Sequence, residues 1–240
     1  MPAIHNYGCA GAEVSQPENP YMLVAPPATE KELLQRAEAL AGKTLQQIAN
    51  ETGATVPDRL SNAKGWTGEL IESCLGATAA SRPEPDFRTI GVELKTIPLD
   101  QRGKPKESTY VCNVQLTGTI DLIWEASLVK CKLTRVLWVP VEASPDIPLA
   151  GRRIGSAVLW SPDSRQESQL RADWEELMEM VCLGDLAKIS SHLGICLQIR
   201  PKAANARSLA TGLGKTGEAI QTLPRGFYLR PAFTAEILSQ

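Results

Sequence analysis

Apolar positions along this chain alternate between a helical period and a strand period, and the switches predict its elements. Thr29-Glu30-Lys31-Glu32 reads as a capping box, in which a hydroxyl and a carboxylate satisfy N–H groups of a first turn. The helix it opens runs to about Ala41 with Leu33, Leu34, Ala37 and Leu40 inward. A short helix over Leu45 to Glu51 stops at Gly53, and a third over Lys64–Ala77 carries Leu70, Ile71, Cys74 and Leu75 as its apolar stripe. Ser164-Arg165-Gln166-Glu167 reads as a second capping box. Its helix reaches about Leu183, with Leu170, Trp174, Leu177, Met178 and Val181 on one face and Gly184 as its stop. Period-two or β-branched runs predict strands from near Ile90 through Ile97 and at Thr109–Leu116, Thr134–Glu142, Arg153–Trp160, Ile195–Arg200 and Gly226–Arg230. Pro140 marks its strand as an edge or a bulge. Residues 1–27 lack periodicity and carry few charges, which predicts a mobile arm over 1–22 ahead of a folded domain over 23–240.

Helices interleaved with strands imply an α/β fold, a mixed sheet flanked by helices, and 240 residues at 43% hydrophobic can bury one body of two lobes around a cleft. No stretch approaches the roughly 20 apolar residues of a membrane helix. The N-terminus lacks a basic segment followed by an apolar one, so a cytoplasmic location is expected. Cys9, Cys74, Cys112, Cys131, Cys182 and Cys196 are scattered singly and read as buried small hydrophobes; with only His5 and His192 beside them, a structural zinc site is not expected. The net charge of −2 hides an asymmetry. Residues 188–240 carry a surplus of five positive charges, while residues 163–185 sum to −5, the distribution a one-sided nucleic-acid cleft would produce.

The candidate chemistry lies at Pro85-Asp86 and Glu93-Leu94-Lys95. In a strand Glu93 and Lys95 share one face, while Val92, Leu94 and Thr96 take the other. Hard oxygens such as those of Asp86 and Glu93 suit Mg²⁺, which takes one or two carboxylates plus waters and substrate phosphate oxygens. Lys95 would then stand beside the attacking water. The competing reading is an exposed Glu-x-Lys ion pair next to a Pro-Asp turn. Glu72 lies beside the apolar stripe of its helix and is expected to lean into the same cleft, whereas Glu69 faces solvent.

Lys64-Gly65-Trp66-Thr67-Gly68-Glu69-Leu70-Ile71-Glu72, Pro85-Asp86, Gly91-Val92-Glu93-Leu94-Lys95-Thr96-Ile97-Pro98, Arg135-Val136-Leu137-Trp138-Val139-Pro140-Val141-Glu142, Arg200-Pro201-Lys202-Ala203-Ala204-Asn205-Ala206 and Leu223-Pro224-Arg225-Gly226-Phe227-Tyr228-Leu229 together resemble the MutH family of methyl-directed mismatch-repair endonucleases, from about Leu23 to the C-terminus. The resemblance implies a restriction-endonuclease-like fold with two subdomains about a DNA cleft. It implies nicking of the unmethylated strand at hemimethylated GATC with Mg²⁺. Asp86 and Glu93 would be metal ligands, Glu72 would complete the acidic cluster, and Lys95 would orient or activate water. Lys64 and Lys132 would contact phosphate. Arg200 and Lys202 would reach base edges in the major groove, and Tyr228 would probe the adenine N6 position, with Phe227 in the core. A monomer stimulated by the repair ATPase MutL is expected, docked on the acidic helix or the C-terminal tail. A dimeric restriction-type enzyme and a catalytically silent DNA-binding module are the alternatives.

Overall fold

The computed structural model describes residues 24–58, 65–79, 82–119, 122–190, 192–202 and 208–240. The expected arm at 1–22 and Lys64 lie outside the described residues. Helices α1 (Glu30–Leu40), α2 (Leu45–Thr52) and α3 (Trp66–Leu75) come first, followed by strands β1 (Glu93–Leu99) and β2 (Thr109–Asn113). Then come α4 (Leu128–Leu133), β3 (Val136–Glu142), β4 (Val158–Trp160), α5 (Ser164–Cys182) and β5 (Leu197–Pro201). The remainder is a hairpin of β6 (Ala210–Leu213) and β7 (Ala219–Thr222), then β8 (Arg225–Leu229) and α6 (Pro231–Leu238).

The expected mixed sheet is present in the order β1-β3-β4, with β1 parallel and β4 antiparallel to β3. Its central strand reads Val-Leu-Trp-Val-Pro-Val because both faces are covered, as parallel pairing requires. Val136 and Trp138 enter a core shared with α4, α5 and α6; Leu137, Val139 and Val141 enter a second, built by α1, α2 and α3. Pro140 is therefore not at an edge. It sits where pairing slips by one residue, between Trp138↔Val158 and Val141↔Ile154. A bulge there tolerates the missing N–H.

The strands predicted at Thr109–Leu116, Ile195–Arg200 and Gly226–Arg230 do not join that sheet. They form an antiparallel sheet of their own in the order β2-β8-β5. The first strand begins later than expected, at Glu93, because Phe87 and Val92 pair across a turn. The Arg153–Trp160 segment shortens to β4, since Arg153 and Ile154 bridge elsewhere, to Thr44 and Val141. Neither the β6-β7 hairpin nor α6, whose Pro231 occupies the first helical position, is among the predicted elements.

Thr29 caps α1 by accepting from Glu32 N–H at 3.1 Å, but the Glu32 carboxylate accepts from Ala28, one residue before the expected partner. The cap of α5 also lies one residue earlier than predicted. Asp163, not Ser164, accepts from Gln166 N–H at 2.7 Å, and Gln166 returns the bond at 3.2 Å. Cys112 and Cys196 are buried as expected, yet Cys131 and Cys182 are exposed, because each falls on the outward face of its helix.

One carboxylate of the acidic run, Asp173, is buried. It is 2% exposed, and its carboxylate accepts from the backbone N–H groups of Ile195, Cys196 and Leu197, fastening α5 to the start of β5. Asp173→Ala strands two buried donors, the Cys196 and Leu197 N–H groups, and should cost roughly 2–6 kcal/mol at about 1–3 kcal/mol per buried unsatisfied group. Asp163→Ala should cost about 1 kcal/mol as a lost N-cap, and Ser164→Ala close to nothing. Urea unfolding midpoints check all three, and equal losses at 163 and 164 would contradict the cap position.

Candidate active site and nucleic-acid interface

The spacing of Asp86 and Glu93 has a local cause. Phe87 N–H donates to the Val92 carbonyl at 2.8 Å and Val92 N–H returns to Phe87 at 3.3 Å, with Gly91 at φ 67° completing the turn. Phe87 and Val92 are both buried, so the turn is nailed to the core. It folds Asp86 back onto the first strand, where its Oδ2 accepts from Leu94 N–H at 2.8 Å. Glu72 arrives from α3, whose C-terminus is fixed by Gly76 at φ 82°; a Cβ there would lie 2.5 Å from the Ala25 carbonyl. No side chain but hydrogen fits.

Glu93 is 2% exposed and held at both oxygens. Lys95 Nζ donates to Oε1 at 2.5 Å and Lys132 Nζ to Oε2 at 2.8 Å. Lys132, from α4, is itself buried and also donates to the Glu84 carbonyl at 2.6 Å. Its amine therefore backs Glu93 from inside the protein and is not held out toward solvent. Glu72, Asp86, Glu93, Lys95 and Lys132 line one cleft of about 450 Å³. Burial raises the Glu72 carboxyl to about 7, with Asp86 the next cause and Lys95 opposing; burial and then Glu93 raise Asp86 to about 6. These are the signs of negative charge gathered where water is scarce. Among the described residues no three His, Cys, Asp or Glu side chains are grouped so as to hold an ion by themselves. Asp86 and Glu93, both buried, are oxygen ligands of the number and kind that Mg²⁺ takes.

The cleft continues into a groove of about 690 Å³ that shares Glu72, Leu94, Lys95, Tyr110 and Lys202 with it. Arg200, Lys202 and Tyr228 line this groove together with Gly65 and Gly68, so every predicted base-contacting side chain opens onto the space that contains the carboxylates. Arg200 lies over the Tyr228 ring at 5.8 Å, and Phe227 is buried on the other face of β8. Lys64, just before the groove-lining Gly65, lies outside the described residues. Several wall residues were not singled out from sequence: Tyr110 and Asn113 on β2, and Ser108, whose hydroxyl accepts from Gln198 Nε2 and Arg200 Nη1. The alternation within the predicted Thr109–Leu116 strand could have put Tyr110 on a polar face, but nothing local said which sheet that face belonged to.

Known proteins match the chain over most of its length. Residues 75–173 match the family model "DNA mismatch repair enzyme MutH". The chain is 52% identical over 221 residues to the DNA mismatch repair protein MutH of Escherichia coli O127:H6 (strain E2348/69 / EPEC), covering 92% of this chain and 96% of that protein. The same identity and coverage hold for the proteins of that name from Escherichia coli O1:K1 / APEC and from Shigella flexneri.

The raised carboxyls fix the sign of a stability effect. Folded Glu72 binds its proton more tightly than the unfolded chain does between its ordinary 4.5 and about 7, so stability present below that window is lost as pH rises through it. Without divalent metal, Glu72→Gln should melt higher than the parent at pH 8, with the difference vanishing near pH 5. A variant melting lower at pH 8 would mean the carboxylate is stabilised, not strained, by its surroundings.

Proposed function

This chain belongs to the MutH family, and on that premise we propose that it is a Mg²⁺-dependent endonuclease of DNA mismatch repair that nicks the unmethylated strand at hemimethylated GATC. The observation that carries the reading is continuity: the Glu72–Asp86–Glu93–Lys95 cleft and the groove with Arg200, Lys202 and Tyr228 share a wall. A phosphate at the carboxylates and a base edge at Tyr228 can thus belong to one duplex lying between two lobes.

Asp86 and Glu93 would hold the cation, with Glu72 completing the acidic wall. When bound, a divalent ion supplies Lewis-acid polarisation of the phosphate and a water of lowered pKa. The remaining work belongs to the chain. Lys95, one face of the strand with Glu93, has its amine beside the carboxylate and can orient the attacking water or neutralise charge developing on the phosphate. Lys132 fixes the far oxygen of Glu93, so the carboxylate keeps its orientation when Lys95 turns to substrate. Arg200 and Lys202 are donors suited to guanine O6 and N7. Tyr228, half-buried under Arg200, forms a firm surface against which an N6-methyl group loses a donor hydrogen and adds bulk. Lys64 would add a phosphate contact at the start of α3. A single centre per chain cuts one strand, which suits a cytoplasmic monomer whose activity MutL raises. No helix among the described residues is long and apolar enough to cross a membrane.

Asp86→Ala should lower the nicking rate on the order of 10³-fold while leaving duplex binding measurable, in line with the loss of a transition-state stabiliser. Nicking at the parental rate would remove Asp86 from the centre. On a plasmid with one hemimethylated site, single-turnover reaction should give nicked circles; linear product would favour the restriction-type reading. Tyr228→Ala should narrow the preference for unmethylated over methylated strands about tenfold, the scale of one base contact. Unchanged discrimination excludes that tyrosine as the reader.

A further inference from the structure

On the groove-facing surface of the β2-β8-β5 sheet, two rows of side chains cross all three strands. Tyr110, Tyr228 and Gln198 are register partners in one row, and Asn113, Gly226 and Arg200 in the next. Gly226 leaves a slot. A Cβ there would come within 3.0 Å of both the Tyr110 and the Tyr228 ring, which stand edge-to-face with centroids 5.4 Å apart. Lys202 follows the end of β5, tied by its N–H to the Pro224 carbonyl at 2.7 Å. Its ammonium lies 3.6 Å from the Tyr110 ring centroid, and 3.3 Å from Asn113 Oδ1. Tyr110 Oη donates to the same oxygen at 2.9 Å.

The chemistry of the three groups orients the Asn113 amide. An ammonium can only donate, so the amide atom in its reach is the oxygen. The phenol keeps its proton, since burial pushes the Tyr110 hydroxyl up to about 12. With Oδ1 taken by two donors, the amide NH₂ is the end left to face the cleft, to which Asn113 contributes a wall. A lysine on a flexible four-carbon stem ordinarily loses much side-chain entropy when it is immobilised. Here an aromatic face and an amide oxygen hold it before any ligand arrives, next to Lys95 in the same cleft.

We propose that Asn113 is a specificity-determining positioning residue. By fixing the Lys202 ammonium over the Tyr110 ring, it aims that donor at an acceptor-rich base edge such as that of guanine. The proposal rests on the reading of Lys202 as a DNA contact and adds the residue that makes the contact selective. Asn113 is exposed, so substituting it leaves the core untouched.

The test is a double-mutant cycle of Asn113→Val and Lys202→Ala. It compares kcat and KM for nicking of a hemimethylated GATC duplex with those for a duplex in which the guanine of the site is replaced by 7-deazaguanine. Asn113→Val should lower kcat/KM on the parent duplex about tenfold, chiefly through KM. It should shrink the ratio between parent and 7-deazaguanine duplexes by a similar factor, and add nothing further in the Lys202→Ala background. A generally loosened sheet would lower all duplexes alike and would act additively with Lys202→Ala. Either additivity or an unchanged ratio overturns the proposal. If Lys202→Ala alone behaves as the parent protein on every duplex, the underlying assignment of Lys202 to DNA fails, whatever Asn113→Val does.

Discussion

A buried carboxylate gripped at both oxygens is the interaction on which the rest of this molecule depends. Glu93 is almost wholly removed from water, a position that an unpaired negative charge cannot hold. Lys95 binds one oxygen from the same strand and Lys132 the other from α4, so the charge is tolerated only if the parallel β1-β3 pair and α4 are all in place. The turn from Phe87 to Val92 then sets Asp86 beside it, through a bond to the Leu94 N–H. Charge pairing, strand pairing and core packing are one constraint here. Loss of any one exposes the others.

That constraint also explains why the acidic wall gathers more negative charge than its lysines balance. Glu72 and Asp86 add two further carboxyls to the cleft, and burial and mutual repulsion raise both. Lysines balance Glu93 but not the whole set, and the residual strain is relieved by protons or by a divalent ion. The divalent ion proposed for this cleft would compete with protons at Glu72 and Asp86 and would bind most strongly at neutral pH and above.

The second sheet serves a different purpose with different residues. Its inner face is buried through Val111, Phe227 and Leu229, while its other face carries tyrosines, amides and basic groups toward the groove. Gln198 and Ser108 hold Arg200 as Asn113 and Tyr110 hold Lys202. Long basic side chains are thereby given fixed stations, which is what selective contact with base edges requires, because a freely rotating cation attracts every phosphate equally. Asp173, by gathering the N–H groups that open β5, ties the position of this whole face to α5.

Much of this was legible in residue order. The apolar periods gave α1, α2, α3 and α5 nearly to the residue, since caps such as Thr29, Gly53 and Gly76 act within a turn of the helix they bound. The pairing of Glu93 with Lys95 on one strand face was legible because side-chain direction alternates with the backbone itself. The burial of Glu93, its second ammonium from Lys132 and the division of the strands into separate sheets depend on contacts between distant segments, and local pattern carries no record of them. Pro140 shows the boundary well: its missing N–H marked an irregularity, but only the arrangement of β1 and β4 on either side made it a bulge in a central strand. The sequence by itself determined which residue types could do the chemistry and on which face of their own element they stand. Tertiary structure alone decided that carboxylates from a helix, a turn and a strand share a cleft with Asn113 and Lys202, because convergence is set by how cores pack, not by what neighbours in the chain prefer.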